Sequence, residues 1–422
     1  MDVQGMCRRN ARSVWRFLKR NGLGTGWVIL FFLLAFESAL RDEARVFNYA
    51  DEAATIIMVA IALVSLATEK RAFSFLPQEK RAALLLVLFV VIGLAGGAIS
   101  GVQPALVPIA IDLFACIKFF VALMAGVVVF RRGSDDFVHA CIVVARVVIV
   151  VAAVCAALNL FVDIGMCTVR LRMGMRPFSF VFYHPYAVNV MCVGFMALFA
   201  TNPKANRVYL VLSCFVMVST LRAKGVAFVV VAAILLVTVG RGQRLSSRMV
   251  AVATIAAVLV GCGQIVSNYA NPEEARFRLT IASLEIANTY APLGAGFATF
   301  GSNVTTLPEY YSSLYYDYGL STVWGLRPTG TQFVSDTFFP IILGQCGWLG
   351  LLCYGAFVVE MLQAVRLRTK MSSANPAGAL LVAAFLVLSC LSDSAFFGHT
   401  AIFLAFSLVL CLSCRVGVAS YR

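Results

Sequence analysis

Residues 82–100 read AALLLVLFVVIGLAGGAIS and contain no charged side chain. An α-helix needs about 20 apolar residues to cross the hydrocarbon core of a bilayer, which is roughly 30 Å thick. The apolar run is continuous, whereas the strands of a transmembrane β-barrel alternate between apolar and polar residues. This stretch therefore predicts a transmembrane helix and, with it, an all-α fold in a membrane.

Similar apolar runs recur along the chain. Of its 422 residues, 61% are hydrophobic and only 13% are charged, a balance that favours lipid rather than water as the surrounding solvent. We expect about twelve transmembrane helices, near residues 24–40, 53–68, 82–100, 107–130, 138–162, 186–201, 206–220, 225–240, 249–267, 346–364, 377–392 and 398–414.

These helices divide the chain into four parts. A basic segment occupies residues 1–23, and transmembrane helices 1 to 9 occupy residues 24–267. A large loop follows at residues 268–345, and residues 346–422 hold helices 10 to 12 and a short tail. The loop is longer than a simple connection requires, so we expect it to carry function.

Lysine and arginine positions set the predicted orientation. Basic residues cluster before the first helix and between the second and third, at Arg8, Arg9, Arg12, Arg16, Lys19, Arg20, Lys70, Arg71, Lys80 and Arg81. By the positive-inside rule these segments are cytoplasmic. We therefore expect both termini in the cytoplasm of a bacterium, the chain in its inner membrane and the large loop in the periplasm. The net charge of +14 is then mostly a topology signal, and nucleic acid is not an expected partner.

Several basic residues fall in the predicted outer loops, against that rule. They are Arg170, Arg172 and Arg176 after helix 5, Arg222 and Lys224 between helices 7 and 8, and Arg276 and Arg278 at the start of the large loop. Guanidinium groups match phosphate oxygens two at a time, so the set predicts a site for a lipid-linked diphosphate. The alternative is contact with phospholipid headgroups or with nearby acidic side chains.

Acidic candidates are fewer. Asp336 lies near the end of the large loop, where a carboxylate beside cations would stay ionised and could accept a proton from a sugar hydroxyl. It could equally cap the helix that follows. Asp112, Lys118 and Arg146 lie within predicted helices, where an unpaired charge is costly. We expect Asp112 to form a structural ion pair with Lys118 or Arg146, and the alternative is a role in substrate passage.

Four short motifs resemble, in order and spacing, those of the O-antigen polymerase and ligase superfamily. They are Arg176-Pro177-Phe178-Ser179-Phe180 with His184-Pro185, Ser219-Thr220-Leu221-Arg222-Ala223-Lys224-Gly225, Arg276 ahead of Pro292-Leu293-Gly294-Ala295-Gly296-Phe297, and Asp336 with Gly344-Gln345-Cys346-Gly347-Trp348-Leu349-Gly350. In the second motif either Arg222 or Lys224 can stand at the position of the family's arginine.

The resemblance implies a glycosyltransferase with a GT-C-like helical body, acting at the periplasmic face on repeat units carried on undecaprenyl pyrophosphate. In that role Arg222, Arg276 and Arg176 hold the donor's pyrophosphate, and Asp336 orients or deprotonates the acceptor hydroxyl. The remaining residues expected to bind substrate are Arg172, Lys224, Arg278 and His184. The chain has three histidines and none of the common metal-binding motifs, so no metal and no cofactor are expected.

Two departures favour the polymerase branch. Asp336 and Thr337 stand where ligases have a His-Asn pair, and Gln345 replaces a glutamate. A ligase that moves a finished glycan to lipid A core or protein is the nearer alternative, and a flippase or exporter of lipid-linked oligosaccharide is the further one. Expected partners are the lipid-linked donor and acceptor, membrane lipids, and a chain-length regulator and flippase of the same pathway.

Overall fold

The structure is a computed structural model of the 422-residue chain. It describes residues 22–68, 73–131, 135–168, 171–172, 174–240, 266, 269–329, 334, 337–371 and 375–413.

The described residues are predominantly helical. The α-helices are α1 (Gly22–Glu43), α2 (Ala50–Thr68), α3 (Pro77–Ser100), α4 (Leu106–Val129), α5 (Asp135–Phe161), α6 (Pro185–Phe199), α7 (Arg207–Ser219), α8 (Ala223–Gly240), α9 (Ala275–Thr289), α10 (Leu314–Asp317), α11 (Phe339–Met371), α12 (Pro376–Ser389) and α13 (Thr400–Ser413). Short 3-10 helices at Arg45–Tyr49, Asn303–Thr306, Pro308–Tyr310 and Leu320–Thr322 complete the secondary structure of this part of the chain.

Six helices among the described residues are long and apolar enough to cross a membrane, namely α1 to α5 and α11. Their outward faces are apolar as well, as on α3, where Leu84 is 68% and Val91 54% exposed. Soluble proteins rarely leave such continuous apolar surface open to water. The chain is therefore an all-α membrane protein.

The helices lie where the sequence predicts them. They cover the positions of eleven predicted segments, although α6, α7, α8, α12 and α13 are shorter, with 13 to 18 residues each. The remaining prediction, at 249–267, lies outside the described residues except for Val266.

Two of the shorter helices form the centre of the bundle. Every residue of α13 except Ser413 is buried, and α6 is buried apart from the half-buried Tyr186. Helix α13 packs against α1, α2, α4, α6 and α12. With 14 and 15 residues, α13 and α6 span only about 21–23 Å at the usual rise of a helix. Central helices this short leave room for a cavity at their ends.

The ends of the helices form two faces. The upper face, as we name it, carries the described residues within 44–49, 101–105, 162–184, 220–222, 270–338 and 390–399. The lower face carries 73–76, 130–131, 200–206 and 375. Contacts join segments of the same face. At the lower face Asn375 donates a 2.8 Å hydrogen bond to the carbonyl of Ala197, while at the upper face Ser38 contacts His399 at 2.8 Å.

The large loop has its own small core on the upper face. Helix α9 packs against α11, and the buried Leu279, Phe300, Tyr315 and Leu326 form a second hydrophobic cluster. The Tyr315 hydroxyl accepts a 2.9 Å hydrogen bond from the Gly301 N–H and also contacts Thr305. The loop is thus a folded element fixed to the bundle.

One loop segment, 292–301, inserts between α3 and α11. Its backbone N–H groups at Ala295 and Gly296 donate to the carbonyls of Gly344 and Gln345, at 3.0 and 2.7 Å. Irregular backbone of this kind is tolerated at membrane depth when protein surrounds it. Glycine allows the close approach, because a Cβ on Gly347, where φ is +63°, would lie 2.4 Å from the Pro292 carbonyl oxygen. Gly347 also has non-helical backbone angles, which divide α11 in two.

Candidate functional site

A cavity of about 800 Å³ opens on the upper face. The outer ends of α1, α2 and α4 line one side of it, through Arg41, Glu52, Asp112 and Lys118 among others. The first residues of α6, α8 and α13 line the other side, and the large loop contributes Arg276 and the residues 302–304. The cavity therefore gathers charged side chains from most of the sequence.

One group of these side chains, His184, Arg222, Lys224 and Arg276, is the cationic cluster. His184 Nε2 lies 2.8 Å from Arg222 Nη2, and Lys224 Nζ donates a 2.6 Å hydrogen bond to the Asp393 carboxylate. Lys224 also lies over the ring of Tyr186, 4.4 Å from its centre. Arg276 reaches the same cavity from the first turn of α9.

The turn between α7 and α8 fixes Arg222. Leu221 has a left-handed backbone conformation, with φ of +50°. Thr220 Oγ1 donates to Asn189 Oδ1 on α6 at 3.3 Å, and a Cβ on Gly225 would lie 2.8 Å from the amide nitrogen of Asn189. From the other side, Arg172 donates to the carbonyl of Leu221 at 3.3 Å. The turn is held between α6 and the 162–184 segment.

His184 acts as the neutral partner of Arg222. Partial removal from water lowers the pKa of His184 from 6.5 to about 4, and the positive charge of Arg222 contributes to the decrease. Because arginine has only N–H donors, the unprotonated Nε2 must accept the hydrogen bond from Arg222. At neutral pH the imidazole thus orients the guanidinium without adding charge.

A second group, the ionic network, lies at the α1, α2 and α4 side. The carboxylate of Asp51, which is fully buried, is bonded by Lys118 on one oxygen and by Arg41 on the other, the latter at 3.2 Å. Arg41 also contacts Glu37 at 3.0 Å, and Lys118 lies 3.6 Å from Glu52. Since each cation faces two carboxylates, this wall offers little free positive charge to an anion.

This network corrects the predicted pairing of the charges within helices. Lys118 pairs with Asp51 and Glu52, not with Asp112. Arg146 donates to Asn206 Oδ1 at 2.6 and 3.0 Å and lies over the ring of Tyr209. The prediction was wrong because it considered only neighbouring helices, while the partners lie far apart in sequence.

Asp112 instead ties the large loop to the bundle. Its Oδ2 accepts hydrogen bonds from the Ala298 N–H at 2.6 Å and from Gln345 Nε2 at 2.7 Å. Gln345 also donates to the carbonyl of Phe300 at 2.8 Å. Asp112 is 2% exposed, so its carboxylate satisfies donors that water does not reach. These bonds hold the segment that leads to Ser302 in the cavity wall.

Asp112→Ala is expected to destabilise the protein by about 2 to 4 kcal/mol, because two buried donors lose their acceptor. Asp112→Asn, which keeps one acceptor oxygen, should cost less. Thermal unfolding in detergent measures both, with Asp42→Ala, an exposed carboxylate at the rim, as the control. If Asp112→Ala unfolds at the wild-type temperature, Asp112 does not anchor the loop.

The predicted site residues divide into three sets. His184, Arg222, Lys224 and Arg276 line the cavity. Arg172, Arg176 and Arg278 do not line it: Arg172 supports the turn, Arg176 lies 3.9 Å from the exposed Asp163, and Arg278 is exposed. Arg170 and Asp336 lie outside the described residues.

Several lining residues were missed from the sequence. Arg41 and Asp393 lie in short predicted outer segments, at residues 41–52 and 393–397, and Tyr183 directly precedes the predicted His184. A charged residue in so short a segment between two predicted helices is the signal that could have identified Asp393.

No known protein family matches the chain, and a search of curated proteins found no similar sequence. Function is therefore inferred from the residues and their geometry.

Proposed function

We propose that the protein polymerises oligosaccharide repeat units carried on undecaprenyl pyrophosphate. The growing chain is transferred from its lipid diphosphate to the sugar of an incoming lipid-linked unit. In this proposal the upper face is the periplasmic side of a bacterial inner membrane and both termini are cytoplasmic. The body has about twelve transmembrane helices in a GT-C-like arrangement.

The observation that carries the proposal is the convergence of the cationic cluster. His184, Arg222 with Lys224, and Arg276 come from three separate segments and line one cavity. Arg222 Nη2 lies 2.8 Å from the imidazole of His184, a neutral partner that adds no negative charge of its own. An anion with several oxygens, such as a diphosphate, suits this arrangement.

Helix ends add to the positive potential. The N-termini of α6, α8, α9 and α13 all meet the cavity, at His184, Ala223, Arg276 and Thr400. The N-terminal end of a helix carries a partial positive charge and unbonded N–H groups. Together with the cluster they favour negative charge at this side of the cavity.

In the reaction, the cationic cluster stabilises the charge that develops on the diphosphate as its bond to the anomeric carbon breaks. The acceptor hydroxyl forms the new bond to that carbon and gives up its proton. We assign this proton to Asp336, at the end of the large loop. The folded loop, tied down through Asp112, would hold the two sugars in line.

A second candidate is an exporter of lipid-linked oligosaccharide. The charged cavity is the observation that favours it, since transport also needs a polar site within the membrane body. The contribution of Arg276 and residues 302–304 to the cavity favours the transferase, because a transport path does not require the large loop.

Surface polysaccharide from a strain lacking the gene distinguishes these functions. Loss of polymerisation leaves single repeat units on the lipid, displayed on a gel as one short band. A ligase defect leaves long chains that are not attached, and an export defect leaves lipid-linked units inside the cell. Long unattached chains in the deletion strain would contradict the polymerase proposal.

A further inference from the structure

Tyr183 is an aromatic side chain at the mouth of the cavity. It lines the cavity beside His184, yet it is 77% exposed. Neither a hydrogen bond nor a ring contact joins it to another described residue. A ring left open in this way at the entrance to a charged site is available to a ligand.

The backbone on either side of Tyr183 is fixed. Before it, the side chains of Phe178, Phe180 and Phe182 are buried, and Phe182 stacks on Phe36 of α1 with ring centres 5.7 Å apart. After it, His184 directly precedes α6 and contacts Arg222, with Nε2 and Nη2 2.8 Å apart. The position of Tyr183 relative to Arg222 is therefore determined by packing, and the exposed ring is presented by rigid neighbours.

Polar groups line the same cavity as Tyr183 and the cationic cluster. They include Asn303, Ser302 and Asp393, which suit hydroxyl groups better than a hydrocarbon chain. A pyranose has an apolar face of C–H groups and an edge of hydroxyls, and a tyrosine ring with its polar tip matches both. The group attached to a diphosphate held at Arg222 would lie next to this ring.

We infer that Tyr183 stacks against the first pyranose of the lipid-linked donor. This inference rests on the proposed function, since the sugar is placed by a diphosphate at the cationic cluster. It adds a selective contact for the sugar to a site whose charges recognise only the diphosphate. A tyrosine that merely anchored the protein at the membrane interface would make no such distinction.

The test compares two probes on the purified full chain in detergent: geranylgeranyl pyrophosphate, and the same lipid diphosphate carrying one glucose. Tyr183→Ala is expected to weaken binding of the glucosyl lipid about 3- to 10-fold, the range for one aromatic contact, and to change binding of the sugar-free lipid less than about twofold. Tyr183→Phe keeps the ring and loses only the hydroxyl, so it should weaken binding of the glucosyl lipid less than Tyr183→Ala does.

Tyr49 supplies the matched control, because it is 70% exposed on the same face and does not line the cavity. Tyr49→Ala should bind both probes normally. An equal effect of Tyr183→Ala on both probes, or none on either, would overturn the inference while leaving the proposed function intact. If Arg222→Ala leaves binding of both probes unchanged, the proposed function itself fails.

Discussion

Arg222→Ala is expected to abolish long-chain polymer and to leave single lipid-linked units, a loss of at least about 100-fold in transfer rate. Lys224, two residues further along the chain, cannot replace the charge of Arg222 because Asp393 already pairs with it. Arg222→Lys should also be poor, because an ammonium group cannot present two parallel donors to phosphate oxygens. The gel of surface polysaccharide from complemented cells measures both variants.

Arg45→Ala is the matched control for this loss, since Arg45 is an exposed arginine on the same face and lies outside the cavity. It should restore normal chain length. Protein abundance in the membrane must be equal for all variants, so that a missing polymer indicates lost transferase activity rather than lost protein. Normal chain length with Arg222→Ala would remove Arg222 from the site.

Gly347→Ala is expected to destabilise the protein by about 3 kcal/mol or more. The backbone angles of Gly347, φ +63° and ψ −168°, lie in a region that essentially only glycine adopts, so another residue there costs about 1 to 3 kcal/mol. The new Cβ would in addition lie 2.4 Å from the Pro292 carbonyl oxygen and 2.6 Å from the Gly294 nitrogen. Both contacts are with backbone, which cannot move aside without displacing the 292–301 segment. Activity should be lost with the displaced loop.

Gly319→Ala separates these two costs. Gly319 has φ of +66°, but a Cβ there would have no atom within 4 Å. The free energy of unfolding of this variant should fall by only about 1 to 2 kcal/mol, which is the cost of the left-handed conformation. Thermal unfolding of the purified variants compares their stabilities. Equal shifts in unfolding temperature for Gly319→Ala and Gly347→Ala would show that the 292–301 segment does not pack closely against α11.

Helix positions could be predicted from sequence because each depends on a local property. A run of apolar residues indicates a helix in lipid whatever its neighbours are, as in 82–100, which lies within α3. The break at Gly347 could not be read in the same way. It exists because the 292–301 segment packs there, and that contact joins residues far apart in the chain.

Only part of the candidate site could be predicted from the sequence. Arg222 and Arg276 could be identified because positive charge outside the membrane opposes the usual distribution. Arg278 follows Arg276 by two residues, and on a helix this separation places the side chains on nearly opposite sides. Only one of them can face the cavity, so the helical conformation of α9 decides which arginine belongs to the site.

Charge pairs were the least predictable feature. Lys118 pairs with Asp51, which lies 67 residues earlier on another helix. Asp112 accepts a hydrogen bond from the N–H of Ala298, 186 residues later. The cost of an unpaired charge in lipid predicts that a partner exists, but not which residue it is. The ionic network and the anchoring role of Asp112 therefore required the structure.

The cavity's exposure to the outer face can be measured by labelling single introduced cysteines in right-side-out membrane vesicles. Ala223 lies in the cavity wall beside Arg222, and Ala205 is exposed on the lower face. With a maleimide that cannot cross the membrane, Ala223→Cys should react, geranylgeranyl pyrophosphate should slow that reaction, and Ala205→Cys should react only after the vesicles are opened. Reaction of Ala223→Cys only in opened vesicles, or at a rate that the lipid diphosphate does not change, would contradict a diphosphate site on the outer side of the membrane.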